Sequence, residues 1–290
     1  MKLKRVSKSF NKQKILDNVT FSFSDSKIVG LIGKNGAGKT TLMKIMNGNI
    51  TNFSGTVDYN NNEKISYLIE HPKLYENKSG LYNLKYFSRI LGSGYDEDFV
   101  KNIINTFNMN SFINKKAGKY SMGMKQKLAI AVSLVNKPNY LILDEPTNGM
   151  DPDGSIDILK SLQSLSNKLN IKVLISSHKL EDIELICDRA IFLKDTKLIK
   201  DISLKSSNNK NSFTKIIVKK HDYNKRLQVL KENTKILEAK YQKNEIFIDL
   251  VNDYSLLIEK LSNQKIYPIK IIDSKKSLRD TYFNINEEVK

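Results

Sequence analysis

Cysteines and long apolar runs are scarce in this sequence of 290 residues. The single cysteine, Cys187, cannot form a disulfide within the chain. The longest apolar stretches, such as residues 129–135, contain or adjoin polar residues and fall short of the roughly 18 to 20 apolar residues that cross a bilayer. The first ten residues, MKLKRVSKSF, lack the apolar segment of a secretory signal. We therefore expect a cytoplasmic chain that does not span a membrane by itself.

The sequence also has no basic tail, although its formal net charge is +17. Residues 1–200 carry 30 basic and 19 acidic side chains, and residues 201–290 carry 18 and 12, so the excess is +11 and +6. Excess lysine and arginine attract phosphate groups at long range. Two interpretations stay open: a lysine-rich surface with no anionic partner, or a position beside an acidic membrane surface.

Apolar spacing predicts an α/β fold for the first two thirds of the chain. A buried strand over Ile28–Ile32 precedes a glycine-rich turn and a helix. Further strands at Tyr140–Leu143, Lys172–Ser176 and Ala190–Leu193 alternate with helical segments, and this alternation is typical of a parallel sheet. Helical spacing from about residue 79 to 136 predicts an inserted helical subdomain.

A polar stretch at Asp201–Ser212 predicts a linker, which divides the chain into domains at 1–205 and 206–290. The second domain shows the order strand, helix, strand, strand, helix, strand. This order predicts a small α+β domain of ferredoxin-like type. No residue within it indicates catalytic chemistry.

Residues 33–40, GKNGAGKT, match the phosphate-loop pattern at every fixed position. Glycines allow successive backbone N–H groups to turn toward a β-phosphate, and the positive end of the following helix strengthens the attraction. We expect Lys39 to reach the β- and γ-phosphates of ATP and the Thr40 hydroxyl to bind Mg²⁺. The residues predicted to contact the nucleotide here are Gly33, Asn35, Gly36, Gly38, Lys39, Thr40 and Thr41.

Two adjacent carboxylates end the strand in YLILDEP. Asp144 is placed to hold Mg²⁺ through water, and Glu145 is placed to orient or polarise an attacking water. His178 follows a later strand within SSHKL, so a parallel sheet would bring it to the same edge as the phosphate loop. We therefore predict that Glu145 and His178 are catalytic.

The motifs GKNGAGKT, YSMGMKQK, LILDEP, NGMD and SSHKL occur in this order over roughly residues 1–205. In this order they resemble the ATP-binding subunit of an ABC transporter. The resemblance implies a P-loop NTPase fold of ABC type that binds ATP and Mg²⁺ and hydrolyses ATP. It also implies a head-to-tail homodimer with two ATP sites at the interface, attached to a separate transmembrane permease on the inner face of the cell membrane.

The resemblance gives YSMGMKQK the position of the family's signature motif. It implies that Ser121 and the N–H of Gly123 bind the γ-phosphate of an ATP held by the other subunit. The usual motif is Leu-Ser-Gly-Gly-Gln, and Met122 and Met124 replace its first glycine and its glutamine. The two retained residues are the ones that would contact phosphate.

Three further roles are implied by matching positions. Phe10 stands where the family has an aromatic ring that stacks on adenine, and Asp151 matches the aspartate that links the two sites across the dimer. Glu70 replaces a glutamine that contacts Mg²⁺ and water, so the usual coupling to the permease is open to question here. A carboxylate is still a good Mg²⁺ ligand.

The variant motifs resemble those of ATPases that export bacitracin or protect cells from lantibiotic peptides. SLRDTYFNI near the end of the chain also resembles the closing helix of such exporters. An alternative function is a soluble ABC-type ATPase that acts on nucleic acid or the ribosome. We consider nucleic acid the less favoured partner, because soluble translation-associated members usually carry two cassettes in one chain, whereas this chain has one.

Overall fold

The structure is a computed structural model with two compact units, Met1–Leu204 and Lys205–Lys290. It describes residues 1–68, 74–92, 94–204, 212–219, 223–233, 235–249, 254–263, 265, 267–275 and 278–287. Among the helices of these residues, none has the length and apolar content needed to cross a membrane.

A mainly parallel sheet forms the centre of the first unit. Its strands are β3 (Ile28–Ile32), β5 (Ile65–Leu68), β6 (Tyr140–Asp144), β7 (Lys172–Ser176), β8 (Arg189–Lys194) and β9 (Lys197–Ser203). They are arranged in the order β5-β6-β7-β3-β8-β9, and only the edge pair β8–β9 is antiparallel among them. Because β3, β6 and β7 are parallel neighbours, the residues that follow them reach the same edge of the sheet.

The first unit also contains a smaller antiparallel sheet. It consists of β1 (Lys2–Phe10), β2 (Gln13–Ser22) and β4 (Ser54–Asp58), in the order β2-β1-β4. Buried residues of both sheets belong to one hydrophobic cluster, which includes Leu3, Phe23, Leu31 and Ile142. The antiparallel sheet is thereby packed against the parallel sheet and the helix that follows the phosphate loop.

Helices connect the parallel strands, as buried parallel sheets require. They are α1 (Lys39–Met46), α2 (Gly80–Ile90), α3 (Glu97–Thr106), α4 (Met122–Leu134), α5 (Pro152–Leu169) and α6 (Leu180–Ile186). Ser79, Asp96, Ser121 and Asp151 each cap a helix by accepting a hydrogen bond from a backbone N–H of the first turn. Helices α2, α3 and α4 all fall between β5 and β6, within the segment 79–136.

The second unit has a separate hydrophobic core. Its elements are β10 (Ser212–Ile217), α7 (Tyr223–Asn233), β11 (Ile236–Lys240), β12 (Glu245–Asp249), α8 (Tyr254–Asn263), β13 (Lys270–Lys275) and α9 (Leu278–Glu287). The strands are antiparallel in the order β11-β12-β10-β13, the βαββαβ arrangement of ferredoxin-like domains followed by one helix. Ile216, Ile246, Ile248 and Leu257 lie at the centre of the core.

Candidate functional site

The phosphate loop joins the end of β3 to the start of α1. Gly36 and Gly38 have φ values of 79° and 102°, a region that side chains other than glycine rarely adopt. A Cβ at Gly38 would also lie 2.9 Å from the backbone oxygen of Ile15. The loop conformation therefore requires glycine at this position for two independent reasons.

Lys39 is folded back against its own loop. Its side chain is buried, and its Nζ donates hydrogen bonds to the carbonyl oxygens of Gly33 at 2.8 Å and of Lys34 at 3.3 Å. A buried ammonium needs such acceptors to compensate for lost hydration. Phosphate oxygens could replace these carbonyls, so the lysine is placed for a phosphate in the loop.

The Asp144 carboxylate is shared by two hydroxyl groups. Thr40 donates to its Oδ2 at 2.5 Å, and Ser176, which is opposite Asp144 in the β6–β7 register, donates to its Oδ1. This set of hydroxyl and carboxylate oxygens fits Mg²⁺, which prefers oxygen ligands. Among the described residues, no cluster of three or more His, Cys, Asp or Glu could hold a metal ion.

Glu145 is held in a strained backbone conformation with φ of 47°. Its backbone N–H donates to the hydroxyl of Ser176 at 2.9 Å, and its Oε2 lies 3.0 Å from Nδ1 of His178. Both side chains remain partly accessible to solvent. The structure thus brings together the two residues that the sequence predicts to be catalytic.

An open cleft of about 520 Å³ lies between these groups and the end of β1. It is lined by Phe10, Ile15, Asn35, Gly36, Gly38, Lys39, Thr40, Thr41, Gln126, Asp144, Glu145 and Asn148. The Phe10 ring is 45% exposed and has the ammonium of Lys8 at 4.7 Å from its centroid. Gly33 is not among these residues, and a Cβ there would lie 2.5 Å from the backbone oxygen of Leu193.

A second cavity, of about 320 Å³, contains the other predicted phosphate contacts. It is lined by Ser121, Met122, Gly123, Met124, Lys127, Gly149, Met150, Asp151 and Gly154. Ser121 accepts a hydrogen bond from the N–H of Met124 at 3.3 Å and so caps α4. The residues Ser121, Gly123 and Asp151 therefore share one cavity, and it is separate from the cleft that contains the phosphate loop.

Glu70 lies outside the described residues. Gln126, Asn148 and Ser176 are site residues that the sequence argument did not identify. Ser176 could have been found from its position at the carboxyl end of a parallel strand, next to the segment that contains His178. No spacing rule marks Gln126, because its place in the cleft depends on how α4 packs.

A buried polar network supports the catalytic loop. Asp182, on α6, accepts hydrogen bonds from the hydroxyls of Thr147 at 2.5 Å and Ser177 at 3.1 Å. Ser177 in turn accepts a bond from the N–H of Lys179. All three hydrogen-bonded side chains are buried. Because Thr147 follows Glu145 and Ser177 precedes His178, the network ties the two catalytic segments together.

Comparisons with known proteins agree with this geometry. The family model described as ABC transporter matches residues 16–148. The lantibiotic transport ATP-binding protein SrtF of Streptococcus pyogenes is 36% identical over 216 residues, which are 72% of this chain and 93% of SrtF. The bacitracin transport ATP-binding protein BcrA of Bacillus licheniformis is 34% identical over 218 residues, 71% of each chain.

A solved structure also matches much of this chain. It is cbiO1 from Clostridium perfringens, described as part of the ABC transporter complex cbiONQ, with a TM-score of 0.62 and 26% identity over 71% of this chain and 88% of that chain. The predicted P-loop NTPase fold is confirmed by this match and by the family model. The chain belongs to the ABC transporter family, in which it is an ATP-binding and ATP-hydrolysing subunit.

Proposed function

We propose that this subunit drives the export of antimicrobial peptides or related drugs through a separate membrane permease. The support comes from the relatives, since SrtF and BcrA are named for the transport of a lantibiotic and of bacitracin. The subunit would act at the cytoplasmic face of the membrane, where its permease exposes the docking site. The alternative, an ATPase that acts on nucleic acid or the ribosome, is not favoured by these relatives.

The hydrogen-bonded chain from Thr40 through Asp144 and Ser176 to Glu145 is the observation that carries the proposed mechanism. Glu145 lines the cleft, where it orients and polarises the water that attacks the γ-phosphate. His178 holds that carboxylate through its Nδ1. Bound Mg²⁺, held by Thr40 and Asp144, would neutralise charge on the β- and γ-phosphates.

The base of the nucleotide is proposed to stack on Phe10. Phe10 is partly exposed and lines the cleft, and a ring face is sufficient for stacking on adenine. Lys39 and the N–H groups of residues 35–41 would hold the phosphates at the start of α1. These assignments place the whole ATP molecule along one continuous cleft.

A head-to-tail homodimer is proposed because Ser121 and Gly123 open on a cavity without a phosphate loop. The start of α4 presents backbone N–H groups and the positive end of a helix, which attract phosphate. A second copy of the chain would supply the γ-phosphate to this cavity and close each ATP between two subunits. Asp151, in the same cavity, would link the two sites.

Replacing Glu145 with Gln tests the assignment of the catalytic carboxylate. The amide keeps the shape of the side chain but is a much weaker base, so ATP is bound and hydrolysed slowly. We expect Glu145→Gln to form a stable dimer with ATP and Mg²⁺ in light scattering, while the wild type returns to monomer. Glu97→Gln, on the exposed surface of α3, makes the same chemical change as a control. A Glu145→Gln variant that stays monomeric and hydrolyses ATP at the wild-type rate would exclude the assignment.

Purification from detergent-solubilised membranes tests the transport role. We expect a polytopic membrane protein to remain bound and to change the ATPase rate. Cells that lack the subunit should become more sensitive to bacitracin or a lantibiotic, and wild-type protein but not Glu145→Gln should restore resistance. Retention of ribosomes or DNA with salt-sensitive affinity, and no membrane partner, would contradict the proposal.

A further inference from the structure

Helix α4 contributes residues to both cavities. Ser121, at its cap, and Met122, Gly123, Met124 and Lys127 line the second cavity, whereas Gln126 lines the nucleotide cleft of the same chain. Residues at different positions along one helix can line different sites. Gln126 is the residue of α4 that lines the nucleotide cleft.

The first part of α4 packs on the loop that carries Asn148 and Gly149, and Gln126 lines the cleft beside that loop. A Cβ at Gly149 would lie 3.1 Å from the sulfur of Met122, so the first turn of α4 rests on the loop that follows Glu145. Gln126 is four residues after Met122 and therefore lies on the same face of the helix. Asn148, from that loop, lines the cleft with it. Gln126 thus lines the same cleft as Asp144 and Glu145.

The chemistry of the side chain fits a terminal phosphate. A glutamine amide has two N–H donors and one acceptor and carries no charge. Asp144 and Glu145 already bring two carboxylates to this part of the cleft, so a neutral donor can approach phosphate there without further repulsion. No hydrogen bond joins the Gln126 amide to another residue in the described part of the chain, which leaves its donors available to a ligand.

We propose that Gln126 donates a hydrogen bond to the γ-phosphate of the ATP bound in its own subunit. The inference rests on the proposed function, because it requires ATP in this cleft. It gives α4 a contact with the ATP of its own subunit. This contact is additional to the one proposed between Ser121, Gly123 and the ATP of the partner subunit. A γ-phosphate in the cleft therefore fixes the helix that the opposite site needs, and its loss on hydrolysis releases that helix.

Equilibrium binding of ATP and ADP to the full chain with Mg²⁺ tests the proposal. ADP lacks the contacted group, so Gln126→Leu should weaken ATP binding about ten- to a hundredfold, the range expected for a hydrogen bond to a charged group, and leave ADP binding unchanged. Gln126→Glu should weaken ATP binding more than Gln126→Leu, because it places a negative charge against phosphate. Gln163→Leu, on α5, removes an amide that bonds the carbonyl of Ile186 and is the matched control.

The outcomes separate the proposal from its premises. Equal loss of ATP and ADP affinity in Gln126→Leu would show a structural role for the side chain and overturn the inference. Unchanged ATP affinity in this variant would also overturn it. A Gln126→Glu variant that binds ATP as well as wild type would also overturn it, since charge would then be irrelevant. Failure of the wild-type chain to bind ATP would instead overturn the proposed function on which the inference rests.

Discussion

Ser176 connects the two acidic residues of the site and is the most informative position to change. Its side chain is completely buried, and its hydroxyl donates to the carboxylate of Asp144 while it accepts the N–H of Glu145 at 2.9 Å. Ser176→Ala removes both bonds and adds no atoms. The strained backbone of Glu145 then loses an anchor, and Asp144 keeps only the hydroxyl of Thr40.

The loss of stability in Ser176→Ala can be estimated from the two hydrogen bonds. A neutral hydrogen bond contributes about 1 kcal/mol and a bond to a charged group about 1.5–3 kcal/mol, so the free energy of unfolding should fall by about 2–4 kcal/mol. For a unit of this size we expect the Tm to fall by about 5–15 °C. Misplacement of Glu145 by a fraction of an ångström to 1 Å should reduce kcat about 10- to 100-fold.

Thermal unfolding and steady-state ATPase assays measure these effects together. Ser166→Ala is the control, because that buried hydroxyl on α5 donates to the backbone oxygen of Ile171 at 2.6 Å and does not line the nucleotide cleft. We expect both variants to lose stability, whereas only Ser176→Ala loses most of its kcat. ATP binding without Mg²⁺ should remain at the wild-type level in Ser176→Ala. Equal kcat losses in the two variants, or full activity in Ser176→Ala, would refute the reasoning.

Three further changes test other parts of the molecule. Gly38→Ala places a Cβ 2.9 Å from the backbone oxygen of Ile15 at a φ of 102°. Because this strains the phosphate loop, ATP affinity measured by calorimetry should fall by about ten- to a hundredfold in a folded protein. Unchanged affinity would contradict this expectation. Phe10→Ala should weaken ATP binding by about 1–3 kcal/mol while Phe10→Tyr preserves it, and equal binding by both variants would exclude stacking. Burial raises the pKa of the Cys187 thiol, so iodoacetamide should label this residue at neutral pH only after unfolding, as measured by mass spectrometry. Rapid labelling of the native protein would contradict the burial of the thiol.

Much of the fold could be predicted because its signals are local. The glycines and lysine of residues 33–40 form one continuous motif, and the apolar runs before Asp144 and His178 mark buried strands. Parallel strands align their carboxyl ends, so these residues were expected to meet at one edge. The family prediction and the P-loop NTPase fold are confirmed. The roles of the individual site residues stay predictions.

The contacts that complete the site could not be predicted in this way. The bond from Thr40 to Asp144 joins residues 104 positions apart, and the geometry depends on the distance between β3 and β6. The place of Ser176 opposite Asp144 depends on the register of β6 and β7. That register is set by side-chain packing on both faces of the sheet, which no short segment contains.

By itself the sequence determined the phosphate loop, the alternation of buried strands and helices, and the family. Each of these depends on residues that are close together along the chain, where backbone preferences and spacing act directly. The tertiary structure decided that Ser176 joins the two carboxylates, that Gln126 faces the nucleotide cleft, and that Ser121 and Asp151 share a different cavity. Those relations arise from the packing of distant segments, whose relative positions depend on the whole core rather than on any motif.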